Sequence, residues 1–214
     1  MPGHSRLWVF DLDNTLHDAS ARIFPLINRA MREYIQRHLG LDEHGATHLR
    51  QDYWRRYGAT LEGLVRHHGV DPAHFLFETH RIADLHAHVE VDPRLGATLA
   101  QLKGRKIVFS NGPAHYAQAV LGAMNLRHRF DRIYSIESVG FRAKPDPSSF
   151  RFVLREEKTR AADAIMVEDS IDNVRSAKRV GMKTVWVSSS GKPCRDADRI
   201  VASVHELPRI AASV

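Results

Sequence analysis

The apolar run Leu7-Trp8-Val9-Phe10 leads straight into Asp11-Leu12-Asp13-Asn14-Thr15-Leu16. A short apolar run closed by turn-forming residues has the length of a buried strand, and it puts Asp11 and Asp13 where that strand ends. In open α/β sheets, ligands bind beyond the carboxyl ends of the strands. Two acids this close repel unless a cation or a proton is shared between them, and burying them unpaired is costly. Taken alone, the pattern also suits a polar turn that caps the next helix, because Asp, Asn and Thr favour turns and N-caps.

The rest of the chain decides what kind of sheet this strand joins. Ile23, Ile27, Met31, Tyr34, Ile35 and Leu39 recur at helical spacing over 21–39, with Ser20 as N-cap and Gly40 as stop. Further helices are expected over 43–57, over 61–68 behind Thr60, and from Asp71-Pro72, where Asp caps and Pro fits the first helical position. Between residues 20 and 89 there is no β-rich apolar run. From Asp92-Pro93 the pattern changes: a helix ending near Gly104 precedes a strand over 106–110, and further strands are expected over 132–135, 164–168, 184–187 and near Ile200-Val201. Helices over 114–124, 147–157, 171–180 and 204–210 separate them. This alternation predicts βαβ units, and so an α/β, Rossmann-like, mostly parallel sheet with helices on both faces. Residues 1–16 and 91–214 would form that core, with residues 17–90 inserted as an all-helical unit. An insert at the functional end of a sheet is placed to act as a lid.

Composition narrows the class. With 214 residues, 43% hydrophobic and 26% charged, the chain can bury a core of ordinary size. No stretch approaches the roughly 18 continuous apolar residues of a membrane span. The apolar run before Asp11 is too short and too acidic for a secretory signal. The one cysteine, Cys194, cannot form an internal disulfide, and the expectation is a cytoplasmic protein, monomeric or weakly dimeric. A formal charge of +6 and fourteen histidines favour anionic partners. The basic pairs Arg55-Arg56, Arg105-Lys106 and Lys178-Arg179 are scattered, which suits solvated helix faces better than a nucleic-acid surface. His86 and His88, two apart, share no helix face and are expected to be solvated rather than zinc ligands.

Three more features fall at or beyond the C-terminal end of an expected element. Ser110-Asn111-Gly112 offers a hydroxyl, an amide and a glycine that lets backbone approach a ligand; alone it is also an ordinary polar turn. Lys144 precedes Pro145-Asp146-Pro147, and alone it is a solvated lysine in a stiff loop. Glu168-Asp169-Ser170-Ile171-Asp172 adds three acids, with helix capping as the bland alternative. Together they make up to five carboxylates, one lysine and one hydroxyl around a single sheet edge. Acids so gathered need a hard divalent cation, and Mg²⁺ fits best because it takes carboxylate oxygens, keeps waters and accepts substrate phosphate.

At these residues the chain resembles the haloacid dehalogenase superfamily, in its phosphatase branch. The family's four motifs look like Asp11-Leu12-Asp13-Asn14-Thr15, Ser110 with Asn111, Lys144, and Glu168-Asp169, and the helical insert is similar to the family's cap. The resemblance implies a Mg²⁺-dependent phosphomonoester hydrolase in which Asp11 attacks phosphorus and becomes an aspartyl-phosphate. A carboxylate needs no base to activate it at neutral pH. Asp13 would protonate the leaving alkoxide and later take a proton from the attacking water. Mg²⁺ would be held by Asp11, the Asp13 carbonyl and Asp169. Lys144, Ser110, Asn111, Gly112 and Asn14 would line the phosphoryl group, and Glu168 and Asp172 would orient metal waters or Lys144. The acid two positions after the nucleophile sets phosphatases apart from dehalogenases.

The cap segment Tyr53-Trp54-Arg55-Arg56-Tyr57-Gly58 further resembles the pyrimidine 5′-nucleotidase subfamily. That implies UMP or CMP as substrate, with Tyr53 and Tyr57 available to stack on a base. These aromatic residues equally suit packing inside the cap. His17, where relatives often have Tyr, is a further substrate-facing candidate and leaves the base preference open. A phosphoglycolate or sugar phosphatase, or less closely a phosphomutase, is the alternative.

Overall fold

β1 (Leu7–Phe10) lies in the middle of a six-stranded sheet and is buried along its whole length. The structure is a computed structural model that describes residues 6–190 and 193–214. β2 (Arg105–Phe109), β3 (Arg132–Tyr134), β4 (Ala164–Glu168), β5 (Lys183–Val187) and β6 (Arg199–Val201) join it in the order β3-β2-β1-β4-β5-β6, every pair parallel. Phe10 stands opposite Val108 on one side and Val167 on the other. The chain winds outward from β1 through β2 to β3, then returns to β4 and winds the other way. That reversal makes the carboxyl ends of β1 and β4 the crevice of the sheet.

Strand side chains alternate between faces, and both faces are covered. Trp8, Phe10, Val108, Ile165 and Val167 belong to one core cluster, with α6 (Leu95–Gln101) and α7 (Ala114–Ala123) supplying Leu95, Leu99, Tyr116, Ala117, Val120 and Leu121. Leu7, Val9, Ile107, Phe109 and Met166 belong to another, against α8 (Pro147–Glu156) and α9 (Ile171–Val180). The Rossmann-like core expected from the alternation is therefore present.

Between β1 and α6 the chain is helical: α1 (Ile23–Leu39), α2 (Glu43–Tyr57), α3 (Thr60–His68), α4 (Pro72–His80) and the short α5 (Leu85–His88). Asp42 and Asp71 cap α2 and α4 with side-chain bonds to Gly45 N and His74 N, and Gly40, Gly58 and Gly69 end α1, α2 and α3 in the left-handed conformation. Tyr34, Ile35, Tyr53, Leu61, Leu64, Phe75 and Leu76 form a core of this cap's own, joined by Ile136 from the loop after β3. The base of the cap is continuous with the sheet core, since Ile23, Ile27 and Leu85 pack with Trp8 and Phe10. Among the described residues no helix is long and apolar enough to cross a membrane.

Local expectations fail in three places. Ser20 does not cap α1; its N–H and hydroxyl both donate to Asn14 Oδ1, and the helix starts three residues later. α6 begins at Leu95 rather than at Asp92-Pro93, after a turn over Pro93 and Arg94 in which Asp92 Oδ1 accepts from Arg94 N–H. The helix expected over 204–210 splits into a 3₁₀ turn, Val204–Glu206, closed by a Ser203/Glu206 capping box, and α10 (Leu207–Ile210).

The α2–α3 contact is close enough to test. A Cβ at Gly63 would stand 2.1 Å from Tyr53 Cγ, so the ring lies directly on the α3 backbone. Alanine is the better helix former by about 1 kcal/mol. Gly63→Ala should nevertheless destabilise the protein by about 1–3 kcal/mol, through overpacking. Thermal unfolding measures this, and a gain in stability would contradict the packing.

Candidate active site

The loop after β1 is pinned by its apolar residues. Asp11 N–H donates to Val167 O at 3.0 Å, extending the β1–β4 pairing by one residue, while Leu12 and Leu16 sink into the core. Asp11 is thereby fixed at the crevice of the sheet and is itself buried. Lys144 reaches the same point from the segment before α8. Its ammonium, 1% exposed, donates to Asp11 Oδ1 at 2.7 Å, Glu168 Oε2 at 2.8 Å and Phe109 O at 2.7 Å. Asn111 sets the height of that lysine: its Nδ2 donates to Lys144 O at 2.8 Å and its Oδ1 accepts from Lys144 N at 2.7 Å. Glu168 ends β4, and its second oxygen accepts from Ser170 N at 3.1 Å. Asp169 follows, and oxygens of Asp11, Glu168 and Asp169 lie within 4.8 Å of one another.

Three acids against one lysine leave this pocket short of positive charge. Burial, with the Glu168 charge next, pushes the Asp11 carboxyl up to about 7 despite Lys144. Burial likewise raises Glu168 to about 6 and moves Asp169 upward. Burial opposes the charge on Lys144, but the Asp11 and Glu168 carboxylates more than offset it and hold the ammonium above its ordinary range. Asp11 is therefore less readily ionised here than the free carboxylate invoked from sequence. The all-oxygen donor set and its unbalanced charge fit a hard divalent cation, which would restore the carboxylate.

Asp13 lies apart from this cluster. Its Oδ1 accepts from Tyr116 Oη at 2.5 Å and pairs with His17 Nε2 at 3.0 Å. Burial, then the Asp13 charge, holds the Tyr116 phenol far above its ordinary range, so it keeps its proton and donates. Gly112 makes room for that ring, since a Cβ there would be 2.8 Å from Tyr116 Cδ1. From the cap, His80 at the end of α4 packs edge-on to the ring with centroids 5.7 Å apart, and burial pushes its imidazole down to about 4.

The remaining expected site residues divide. Ser110 is buried beside the cluster, its Oγ accepting from Gly112 N at 2.9 Å. Asn14 has a positive φ of 60° and uses Oδ1 to tie Ala19 and Ser20, so its side chain shapes the loop. His17 is buried against Asp13 rather than directed at a ligand. Asp172 is not brought into the cluster: it lies in the first turn of α9, 70% exposed, and pairs with Arg175. Tyr53 is buried in the cap core with its hydroxyl bonded to His68, which removes it from any base-stacking surface, while Trp54 on the outer side of α2 is 62% exposed. Tyr57 does line an open cleft of about 660 Å³ between α3 and the 140–146 segment, with Arg66, Phe141, Arg142 and Pro145. Tyr116 was not foreseen, because an aromatic residue in the first turn of an amphipathic helix carries no sign of a polar role.

Residues 6–181 match the family described as haloacid dehalogenase-like hydrolase. The chain is 27% identical over 195 residues to phosphate metabolism protein 8 of Saccharomyces cerevisiae, covering 83% of this chain and 60% of that protein. It is 29% identical over 192 residues to phosphoglycolate phosphatase 1 of Pseudomonas aeruginosa, covering 83% of this chain and 67% of that one. The chain thus spans 60% to 67% of the length of these two relatives. In fold it is similar to CbbY from Rhodobacter sphaeroides, solved in complex with phosphate, with a TM-score of 0.69 at 22% identity over 95% of this chain and 96% of that one. The family match runs from β1 through the cap to the end of α9, and the chain belongs to the haloacid dehalogenase-like hydrolase family.

Proposed function

We propose that the chain is a Mg²⁺-dependent phosphomonoester hydrolase working through an aspartyl-phosphate on Asp11. The observation that carries this reading is the meeting of Asp11, Glu168 and Asp169 around the buried Lys144, with Asp13 held separately two residues on. Asp11 attacks phosphorus, an Asp11 oxygen–phosphorus bond forms, and the ester phosphorus–oxygen bond breaks as Asp13 gives its proton to the departing alkoxide. Asp13 then takes a proton from water as that water attacks phosphorus, which releases phosphate and restores Asp11. Lys144 keeps a positive charge beside the reacting carboxylate, and Glu168 holds Lys144 in place. Asp11, Asp169 and the Asp13 carbonyl would hold Mg²⁺, which when bound neutralises charge on the phosphoryl oxygens.

For the substrate, the finer reading is a pyrimidine nucleoside monophosphate. Its support is the Asp11-Leu12-Asp13-Asn14-Thr15-Leu16 opening together with Tyr57 in the cleft beside the Lys144 segment. Phosphoglycolate is the second reading, favoured by the name of the Pseudomonas relative. We also propose residues 17–90 as the unit that moves over the site, on the strength of its separate core, and a cytoplasmic location, consistent with a lone cysteine.

Asp11→Asn should lower phosphate release by at least about a thousandfold in kcat while the protein keeps its fold by circular dichroism. A variant above that level would exclude Asp11 as nucleophile. Across a panel of UMP, CMP, phosphoglycolate and glucose 6-phosphate, release should depend on added Mg²⁺ and vanish with EDTA. Preference for the two nucleotides supports the first substrate reading, and preference for phosphoglycolate replaces it with the second.

A further inference from the structure

The two donors on Asp13 both use the same oxygen. Tyr116 Oη and His17 Nε2 meet Oδ1, and among the described residues no group bonds Oδ2. The tyrosine comes from α7 and the histidine from the turn after β1, so two independent elements converge on one atom. Both side chains are buried, Tyr116 at 1% and His17 at 7% exposure. The other ring nitrogen of His17, Nδ1, is buried, and among the described residues the imidazole's one hydrogen-bond partner is Asp13. The Tyr116 ring is itself wedged between Gly112 and His80, which fixes its hydroxyl.

We infer that Tyr116 and His17 are positioning residues that hold Asp13 by Oδ1 and leave Oδ2 as the oxygen that gives and takes the proton. This rests on the hydrolase reading above. In the first step Oδ2–H transfers its proton to the ester oxygen as the phosphorus–oxygen bond breaks, and the negative charge left on Asp13 is met at Oδ1 by the Tyr116 hydroxyl and the His17 Nε2–H. In the second step Oδ2 takes a proton from the water that attacks phosphorus. Neither Tyr116 nor His17 loses a proton at any point.

General-acid help matters for an alkoxide and hardly at all for a leaving group that departs as a stable anion. The test therefore compares kcat/KM, which reports only the steps through alcohol release, on p-nitrophenyl phosphate and on the alkyl esters UMP and phosphoglycolate. Assays use the full chain with Mg²⁺, as wild type, Tyr116→Phe, His17→Gln and Asp13→Asn. Tyr116→Phe and His17→Gln should each lose about ten- to a hundredfold on the better alkyl ester and less than about threefold on p-nitrophenyl phosphate. Asp13→Asn should show the same asymmetry more strongly. Equal losses on both ester types, or no loss on either, overturn the inference while leaving the hydrolase reading standing. No phosphate release by the wild type from any of the three esters would overturn both. Should Tyr116→Phe fail to fold, the asymmetry of His17→Gln decides alone.

Discussion

A single buried ammonium organises this molecule's crevice. Lys144 is 1% exposed, and a lysine at that depth keeps its charge only when carboxylates and carbonyls replace the water it has lost. Asp11, Glu168 and the Phe109 carbonyl do so, and they come from the ends of β1, β4 and β2, three neighbouring strands of the sheet. The parallel order that reverses between β1 and β4 is what brings them within reach. Asn111, gripping the Lys144 backbone from the end of β2, fixes how far the side chain must extend.

Compensation is incomplete, and the chemistry follows from the remainder. Asp169 adds a third carboxylate to a pocket already balanced by only one lysine, so burial pushes Asp11 and Glu168 toward neutrality. A hard cation would remove that imbalance and leave Asp11 ionised. Asp13, only two residues from Asp11, is governed by different neighbours: among the described residues a tyrosine and a histidine bond its side chain. Two nearby acids are thus given different surroundings, as the proposed split between nucleophile and proton carrier requires. From the cap, the His80 ring packs against Tyr116.

Most of the architecture was legible because it is written in periodicity. Short apolar runs bounded by turn residues marked β1, β2 and β4 within one residue, and α2 and α9 lie over the expected ranges 43–57 and 171–180. The departures arise where a side chain has a competing partner that sequence order cannot reveal. Ser20 is taken by Asn14, and Asp172 by Arg175 on the same helix face. At the site, the acids and Lys144 could be read because charged residues at strand ends are conspicuous. Tyr53 and His17 are ambiguous in the sequence because an aromatic or imidazole ring has the same composition signature in a core as in a pocket. Only the packing of Tyr53 on Gly63, and of His17 on Asp13, separates the two.

Covalent capture of phosphate by Asp11 is the step on which the proposed hydrolysis depends. Enzyme quenched in acid during turnover and reduced with borohydride would carry homoserine wherever an aspartyl-phosphate had formed, and peptide mass spectrometry would locate it. Homoserine at position 11, dependent on both substrate and Mg²⁺, is the expected result. Steady release of phosphate with no reduced residue at position 11, or with the reduced residue at another acid, would contradict it.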